Sequence, residues 1–363
     1  MILFRKSVLV VLSVALIVGN LVVQANEAPA LNAHDDALFA TDEILKLTLS
    51  APLKRLHNDR DKSASYPASL GFKTLAGEAI VLDIRVQVRG NYRLKRDVCL
   101  YPPLRIVFDK AASAGTLFEH QTKLKLVTQC DPIVRYERYM LNEYLAYRIF
   151  NLITPKSFRV RLVRVAYQDT QRAGKSRRAF GFFIEHKKRL AKRLGLKTLA
   201  IEETSAVDLD SVHLNQGSLF QLLIGNVDWS ATSGGTDECC HNYKLFASTG
   251  ERLFSIPYDF DLTGLVNAKY AQPDKEMGLR SIRDRRYRGY CRNNEFLEQN
   301  IQLFNDKKAA ILDLFESFPH LSDAGKKSSK RYVESFYKII NNPKRVKRVI
   351  LTRCHKSTFV LRA

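Results

Sequence analysis

The chain has 363 residues, with 58 Lys and Arg against 37 Asp and Glu, a net charge of +21. Hydrophobic residues make up 45% and aromatic residues 10%, which excludes an intrinsically disordered chain and provides for a sizeable core. No internal repeat and no long low-complexity tract is present, so solenoid and linker architectures are excluded as well.

The first residues read as an export signal. Arg5-Lys6 form a basic start, Val8 to Val18 an apolar run, and Val23-Gln24-Ala25 supply the small residues that a signal peptidase reads. Cleavage after Ala25 is expected, releasing a periplasmic or secreted protein. No later stretch approaches the ~20 apolar residues that a membrane-spanning helix needs, so no stable membrane span is expected. Six cysteines follow, Cys99, Cys130, Cys239, Cys240, Cys291 and Cys354, an even number that in an exported chain predicts disulfides, with the pairing left open. Cys239-Cys240-His241 lacks the second ligand pair of a zinc site. Disulfides clamping the insertion between Asp228 and Asn242 are expected instead.

The mature chain opens on a loose polar segment and a strand over Ile44 to Leu49, followed by a polar loop. The β-branched run Ile80 to Val88 predicts a strand ending in Arg89-Gly90-Asn91, and Leu104 to Phe108 and Lys123 to Val127 predict two more. Side-chain alternation puts Lys123 and Lys125 on one face. Arg135 to Leu152 has helical periodicity, with Glu137 on the apolar stripe of Leu141, Leu145, Arg148 and Leu152, and Glu143 on the opposite side. A buried acid needs a partner. Lys125 is the candidate, with pairing to Arg148 as the alternative.

Strands over Phe158 to Tyr167 and Ala179 to Ile184 follow, with Glu185 closing the second. A basic helix over Lys187 to Leu194 ends at Gly195, residues 197–213 read as a surface linker, and a helix spans Gln216 to Gly225. Helices are again expected over Phe296 to Phe304, Lys307 to Ser317 and Lys330 to Asn341. Two basic clusters stand out, Lys187 to Arg193 and Arg280 to Arg292. Neither has zinc-finger spacing or an RNA-binding aromatic signature, so no nucleic-acid partner is expected. Solvated faces account for most of the charge, with anionic surface partners as the lesser reading.

Chemistry concentrates between Gly225 and Gly264. Asp228 lies in a loop, Asn242 opens a short strand, and a hairpin delivers Asp259 and Asp261. A loop acid, an Asn and a later Asp are the parts that orient an attacking hydroxyl and hold the metal bridging nucleotide phosphates in phosphoryl transfer. Turn-capping by these Asp and Asn residues is the plainer alternative. The element order predicts an α+β, bilobal, atypical protein-kinase-like fold with a mainly antiparallel β N-lobe and a mainly helical C-lobe. Its boundaries are a signal peptide over 1–25, an N-terminal extension over 26–79, an N-lobe-like region over 80–185 and a C-lobe-like region over 186–363. The standard kinase motifs (GxGxxGxV, HRD and DFG) are missing.

The segments VRGN (Val88 to Asn91), AFGFFIE (Ala179 to Glu185), GNVDW (Gly225 to Trp229), HNYKLF (His241 to Phe246) and IPYDFD (Ile256 to Asp261) resemble the landmarks of the CotH kinase family. That family comprises atypical, often extracytoplasmic, protein kinases. The resemblance covers roughly Leu82 to Gly264. It implies transfer of the ATP γ-phosphate to Ser or Thr hydroxyls of protein substrates with Mg2+ or Mn2+. By position it makes Asp228 the catalytic acid, Asn242 and one or both of Asp259 and Asp261 the metal ligands, and Arg89, Gly90 and Asn91 neighbours of the phosphates. Lys125 is the expected phosphate-contacting cation, with Lys123 and Arg105 as alternatives, Glu137 its acidic partner, and Glu185 the hinge residue beside adenine. AMP transfer and a catalytically inactive module that binds anionic polymers are the alternative functions. The long insertion between Asp228 and Asn242 and the helices beyond Asn293 depart from the family pattern.

Overall fold

The computed structural model describes residues 36–74, 76–172, 174, 176–234, 239–250 and 252–356. The expected signal peptide and most of the polar segment after it lie outside these residues. Seven strands close into a barrel: β1 (Leu45–Ala51), β2 (Tyr66–Lys73), β3 (Ala79–Val88), β4 (Leu104–Phe108), β5 (Lys123–Thr128), β6 (Val160–Asp169) and β7 (Ser176–Ile184). The order around the ring is β1-β2-β3-β4-β5-β7-β6. All neighbours are antiparallel except β1 and β6, whose parallel pairing closes the ring.

Strict alternation builds the barrel, because every second side chain of a strand points inward. Leu47, Leu49, Leu70, Leu82, Ile84, Val86, Ile106, Leu124, Leu126 and Val163 fill the interior. Phe118, from the loop before β5, is fully buried among them and contacts the rings of Phe72, Phe108 and Phe183 at 5.1, 5.0 and 6.1 Å. The β5–β7 contact tolerates only glycine at Gly181, where a Cβ would lie 2.8 Å from the Val127 carbonyl oxygen.

The helices are α1 (Leu53–Asp59), α2 (Val134–Ile153), α3 (Lys187–Leu194), α4 (Ser211–Ile224), α5 (Leu297–Asp306), α6 (Lys308–Glu316), α7 (Asp323–Ile340) and α8 (Pro343–Val346). A second sheet of three short strands, β8 (Lys197–Thr198), β9 (Tyr243–Ala247) and β10 (Leu253–Pro257), has the order β10-β9-β8. Asp210 caps the start of α4 by accepting from the His213 amide at 2.8 Å, and Gly225 ends that helix in left-handed backbone.

The expected bilobal layout does not form. β1 and β2 come from the stretch expected to be a separate extension, yet they are integral staves, so a boundary at residue 79/80 cuts through the barrel. The helices do not make a separate lobe either. Leu145, Ile149, Phe220 and Val333 share one continuous core with Leu162, Phe180 and Phe182 of β6 and β7. The loop expected after the first strand contains α1, whose buried Leu53 and Leu56 join the barrel cluster.

All six cysteines are paired, as Cys99–Cys130, Cys239–Cys240 and Cys291–Cys354. The bridge in the insertion joins two adjacent residues and does not clamp the insertion to another element. These bonds fit an exported protein, and among the described residues no helix is long and apolar enough to cross a membrane.

Phe118→Ala should lower unfolding stability by about 3–5 kcal/mol through the cavity it leaves. The outward-facing Val81→Ala should change it by less than about 0.5 kcal/mol. Urea titrations of the two variants provide the check, and equal losses would contradict the assignment of Phe118 to the barrel core.

Candidate functional site

Two backbone seams bring the acidic residues together. The Gly264 amide donates to the Gly225 carbonyl at 3.1 Å and Leu265 to Ile224 at 2.9 Å, sewing the chain after Asp261 onto the end of α4. The Tyr258 amide donates to the Asn242 carbonyl at 3.0 Å. Asn242 and Asp259 both have positive φ, 55° and 66°, a conformation that Asn and Asp tolerate better than most residues and that costs energy when held. The Asp259 amide is fixed by donation to the hydroxyl of Tyr147 on α2 at 2.8 Å.

Asp228 is the most heavily bonded of the acids. Its Oδ1 lies 2.7 Å from His241 Nε2, and Asn242 Nδ2 donates to its carbonyl at 2.7 Å and to its Oδ2 at 3.1 Å. Burial works against its ionisation, but these bonds and nearby Arg288 outweigh that and hold the carboxyl below its usual range. The same contact raises His241. Asp261 behaves oppositely. Burial first, and then the Asp259 charge, push it up to about 7. Neither Asp259 nor Asp261 forms an ion pair with a described residue.

Cations surround these acids without bonding them. Lys125 and Arg105 are cross-strand partners on the outer face of the barrel. Lys125 sits 4.5 Å from the Tyr258 ring centre, and Lys244 is 5.7 Å from the same ring. Burial and then Arg89, Lys244 and Arg105, opposed by Asp259, bring Lys125 down to about 7. Lys123 is exposed and lies farther along the strand. Of the three candidate phosphate-contacting cations, Lys125 therefore lies deepest in the cluster, with Arg105 beside it.

The other expected site residues separate. Arg89 acts electrostatically on Lys125, Glu143 and Asp261, whereas Gly90 and Asn91 are exposed and Asn91 accepts from Lys62 at 2.9 Å. Glu137 is in the first turn of α2 and only half-buried. The buried acid of that helix is Glu143, 3.6 Å from Arg93, whose guanidinium also donates to the Thr128 carbonyl. Burial and then Asp261 raise Glu143 well above the carboxylate range, with Arg93 opposing. Glu185 is fully engaged. Arg193 grips both its oxygens at 3.0 and 2.9 Å, the Arg159 amide donates to it at 3.0 Å, and its own amide donates to the Arg159 carbonyl at 2.9 Å. Its carboxylate and its amide are therefore both engaged within the protein, and neither is left to contact a base.

Arg93, Glu143, Tyr147, His241 and Arg288 are additions to the expected set. Arg288 donates to the carbonyls of Val227 and Trp229, on either side of Asp228. Arg285 donates to the carbonyls of Leu222 at 2.8 Å and Leu223 at 3.0 Å in the last turn of α4; the Leu222 oxygen also accepts from the Gly225 amide. The cluster over Arg280 to Arg292 is thus partly internal scaffolding and not a solvated face.

No protein-family model matches the sequence, and no curated protein matches it either. The likeness to the CotH family therefore rests on the residues quoted above.

The metal test turns on the Asp259–Asp261 pair. Among the described residues no three His, Cys, Asp or Glu side chains converge on one point, so a closed all-protein cage is absent. Mg2+ typically takes one or two carboxylates and fills its other positions with water and phosphate oxygens. Two unpaired, mutually repelling carboxylates fit that demand, and the Asn242 side-chain oxygen is not used by the bonds above. With Asp261 raised, the folded state holds its proton more tightly than the unfolded one. That contribution to stability is complete below about pH 4 and is lost as pH rises through about 7. Asp261→Asn should therefore stabilise the metal-free protein at pH 8, by an amount on the order of a few kcal/mol, and change little at pH 4. Chemical denaturation at both pH values tests this, and a loss of stability at pH 8 would contradict it.

Proposed function

We propose that this chain is an exported phosphotransferase of the CotH type, using a divalent metal and ATP to phosphorylate hydroxyl groups of protein substrates outside the cytoplasm. The observation that carries this reading is the meeting of Asp228, Asn242, Asp259 and Asp261 with the cations Arg89, Arg93, Arg105 and Lys125. Acids alone would suit a cation store, and cations alone an anion sink. Opposed sets held side by side without neutralising one another suit a metal–phosphate ligand.

The geometry supports the following roles. Asp228 remains ionised and is fixed by its amide, by His241 and by Asn242, so one oxygen can accept the proton of an incoming hydroxyl. Asp259 and Asp261 supply hard oxygens for Mg2+ or Mn2+, which when bound neutralises phosphate charge and orients the transferred group. Lys125, brought down to about 7 by burial and neighbouring cations, is held in its charged form by a phosphate. The barrel wall supplies Lys125 and Arg105 from rigid strands. Tyr147 and Glu143 back the acidic turn from α2.

Incubation with γ-labelled ATP, Mn2+ and a panel of extracytoplasmic proteins should transfer label to Ser or Thr. Asp228→Asn should lower the rate by about a hundred- to ten-thousand-fold with nucleotide affinity kept. A product heavier by an AMP unit would move the assignment to nucleotidyl transfer, and an Asp228→Asn variant with full activity would remove Asp228 from the mechanism.

A further inference from the structure

The outer face of the barrel carries a second feature, on the side away from the acidic cluster. The cluster uses the outer faces of β4 and β5, whereas β1, flanked by β2 and β6, stands across the ring from them. An open groove of about 1540 Å3 runs over β2, β1 and β6, well above the ~300–1,000 Å3 of a small-molecule pocket. Its floor is a row of small residues in register, with Gly71 facing Thr48 and Thr48 facing Ala166. Val81 and Arg178 extend the row at its two ends.

One bank of the groove is cationic. Lys46 faces Arg164, and Lys73 sits on the neighbouring strand one step beyond Phe72, the partner of Leu47. Like charges on adjacent strands destabilise a sheet unless something neutralises them. Here no described carboxylate lies within ion-pair distance of Lys46, Lys73, Arg164 or Arg178, and Glu43 is the one acid in the described lining. Lys46, Lys73 and Arg178 are exposed, and Arg164 stacks 4.2 Å over the Phe180 ring. The other bank offers hydroxyl and amide groups, with Ser69 facing Ser50 and the Ser50 hydroxyl donating to Gln168 at 2.7 Å. Ile44, Ile80 and Val81 add aliphatic surface, Val81 being 69% exposed.

We infer that this groove binds an acidic segment of a partner protein in extended form. The cationic bank calls for carboxylates, the aliphatic surface for apolar side chains, and the polar bank for peptide hydrogen bonds. Sugar and nucleic-acid polyanions carry the charge but lack the aliphatic groups. Five strands about 4.8 Å apart span roughly 19 Å, the length of about six extended residues. The inference does not depend on phosphoryl transfer, because the groove shares no residue with the acidic cluster.

The test is fluorescence anisotropy of the full chain with a fluorescein-labelled peptide of about eight alternating Glu and Leu residues. Saturable binding is expected, weakening as salt rises. Lys46→Glu with Lys73→Glu should weaken it by at least about tenfold, and Lys46→Gln with Lys73→Gln should give a smaller loss if the reversal disturbs folding. Lys326→Glu with Lys327→Glu, in a charged patch on α7, should leave binding unchanged, as should Asp261→Asn. Unchanged affinity in the folded groove variants would overturn the inference. So would a charge-matched heparin fragment or single-stranded DNA that binds more tightly than the peptide with the same dependence on Lys46 and Lys73.

Discussion

The Tyr332 hydroxyl of α7 occupies a gap that exists only because Gly225 and Gly264 have no side chains. A Cβ on either glycine would overlap that hydroxyl, so the end of α4 and the turn after Asp261 can meet only around it. The Arg285 guanidinium stacks 3.7 Å over the same ring while its nitrogens donate to the carbonyls of Leu222 and Leu223 in the last turn of α4. Arg288, three residues on in irregular backbone, does the same across the Asp228 loop, donating to the carbonyls of Val227 and Trp229. The helices beyond residue 290 matter to the site through this contact. They are the buttress that keeps two otherwise independent loops in register, and the Cys291–Cys354 bond ties the far end of that buttress to the arginine-bearing segment.

That constraint sets the electrostatics. Two carboxylates that repel as Asp259 and Asp261 do would relax apart in a flexible chain. Here Asp259 is pinned by Tyr147 and Asn242 is linked to Tyr258, so burial and then the Asp259 charge both persist and raise the Asp261 carboxyl. The barrel wall imposes the complementary condition on Lys125, where burial and neighbouring guanidinium groups disfavour the charge that an anion would restore. Both groups are poised away from their ordinary protonation by surroundings that a metal-bound phosphate would neutralise.

Much of this arrangement could be read from residues in order. Six of the seven barrel strands stand out as β-branched or alternating runs, β2 (Tyr66–Lys73) does not, and Asp228, Asn242, Asp259 and Asp261 stand out by their spacing around one apolar hairpin. The closure of the barrel could not be read this way. It depends on β1 pairing in parallel with β6 across more than a hundred residues, a contact that leaves no local pattern. Glu137 was a natural choice for the buried acid because helical periodicity assumes one wet face. Residues Tyr139 to Tyr147 of α2 are buried all round, so periodicity loses its meaning there and Glu143 is hidden among apolar neighbours. Glu185 has a hinge-like position but is consumed by Arg193, eight residues later in the next helix. The role of Arg288 was masked by its basic neighbours, whose composition resembles a solvated surface.

The central claim is that Asp259 and Asp261 form the seat of a divalent cation that a bound phosphate completes. Electron paramagnetic resonance of Mn2+ reads occupancy of that seat without reference to turnover. Titration of the full chain at pH 8 should show one bound ion, tighter in the presence of a non-hydrolysable ATP analogue, weaker at pH 5 where Asp261 is protonated, and absent in Asp261→Asn. Mn2+ binding that is indifferent to nucleotide, to pH and to that substitution would contradict the account.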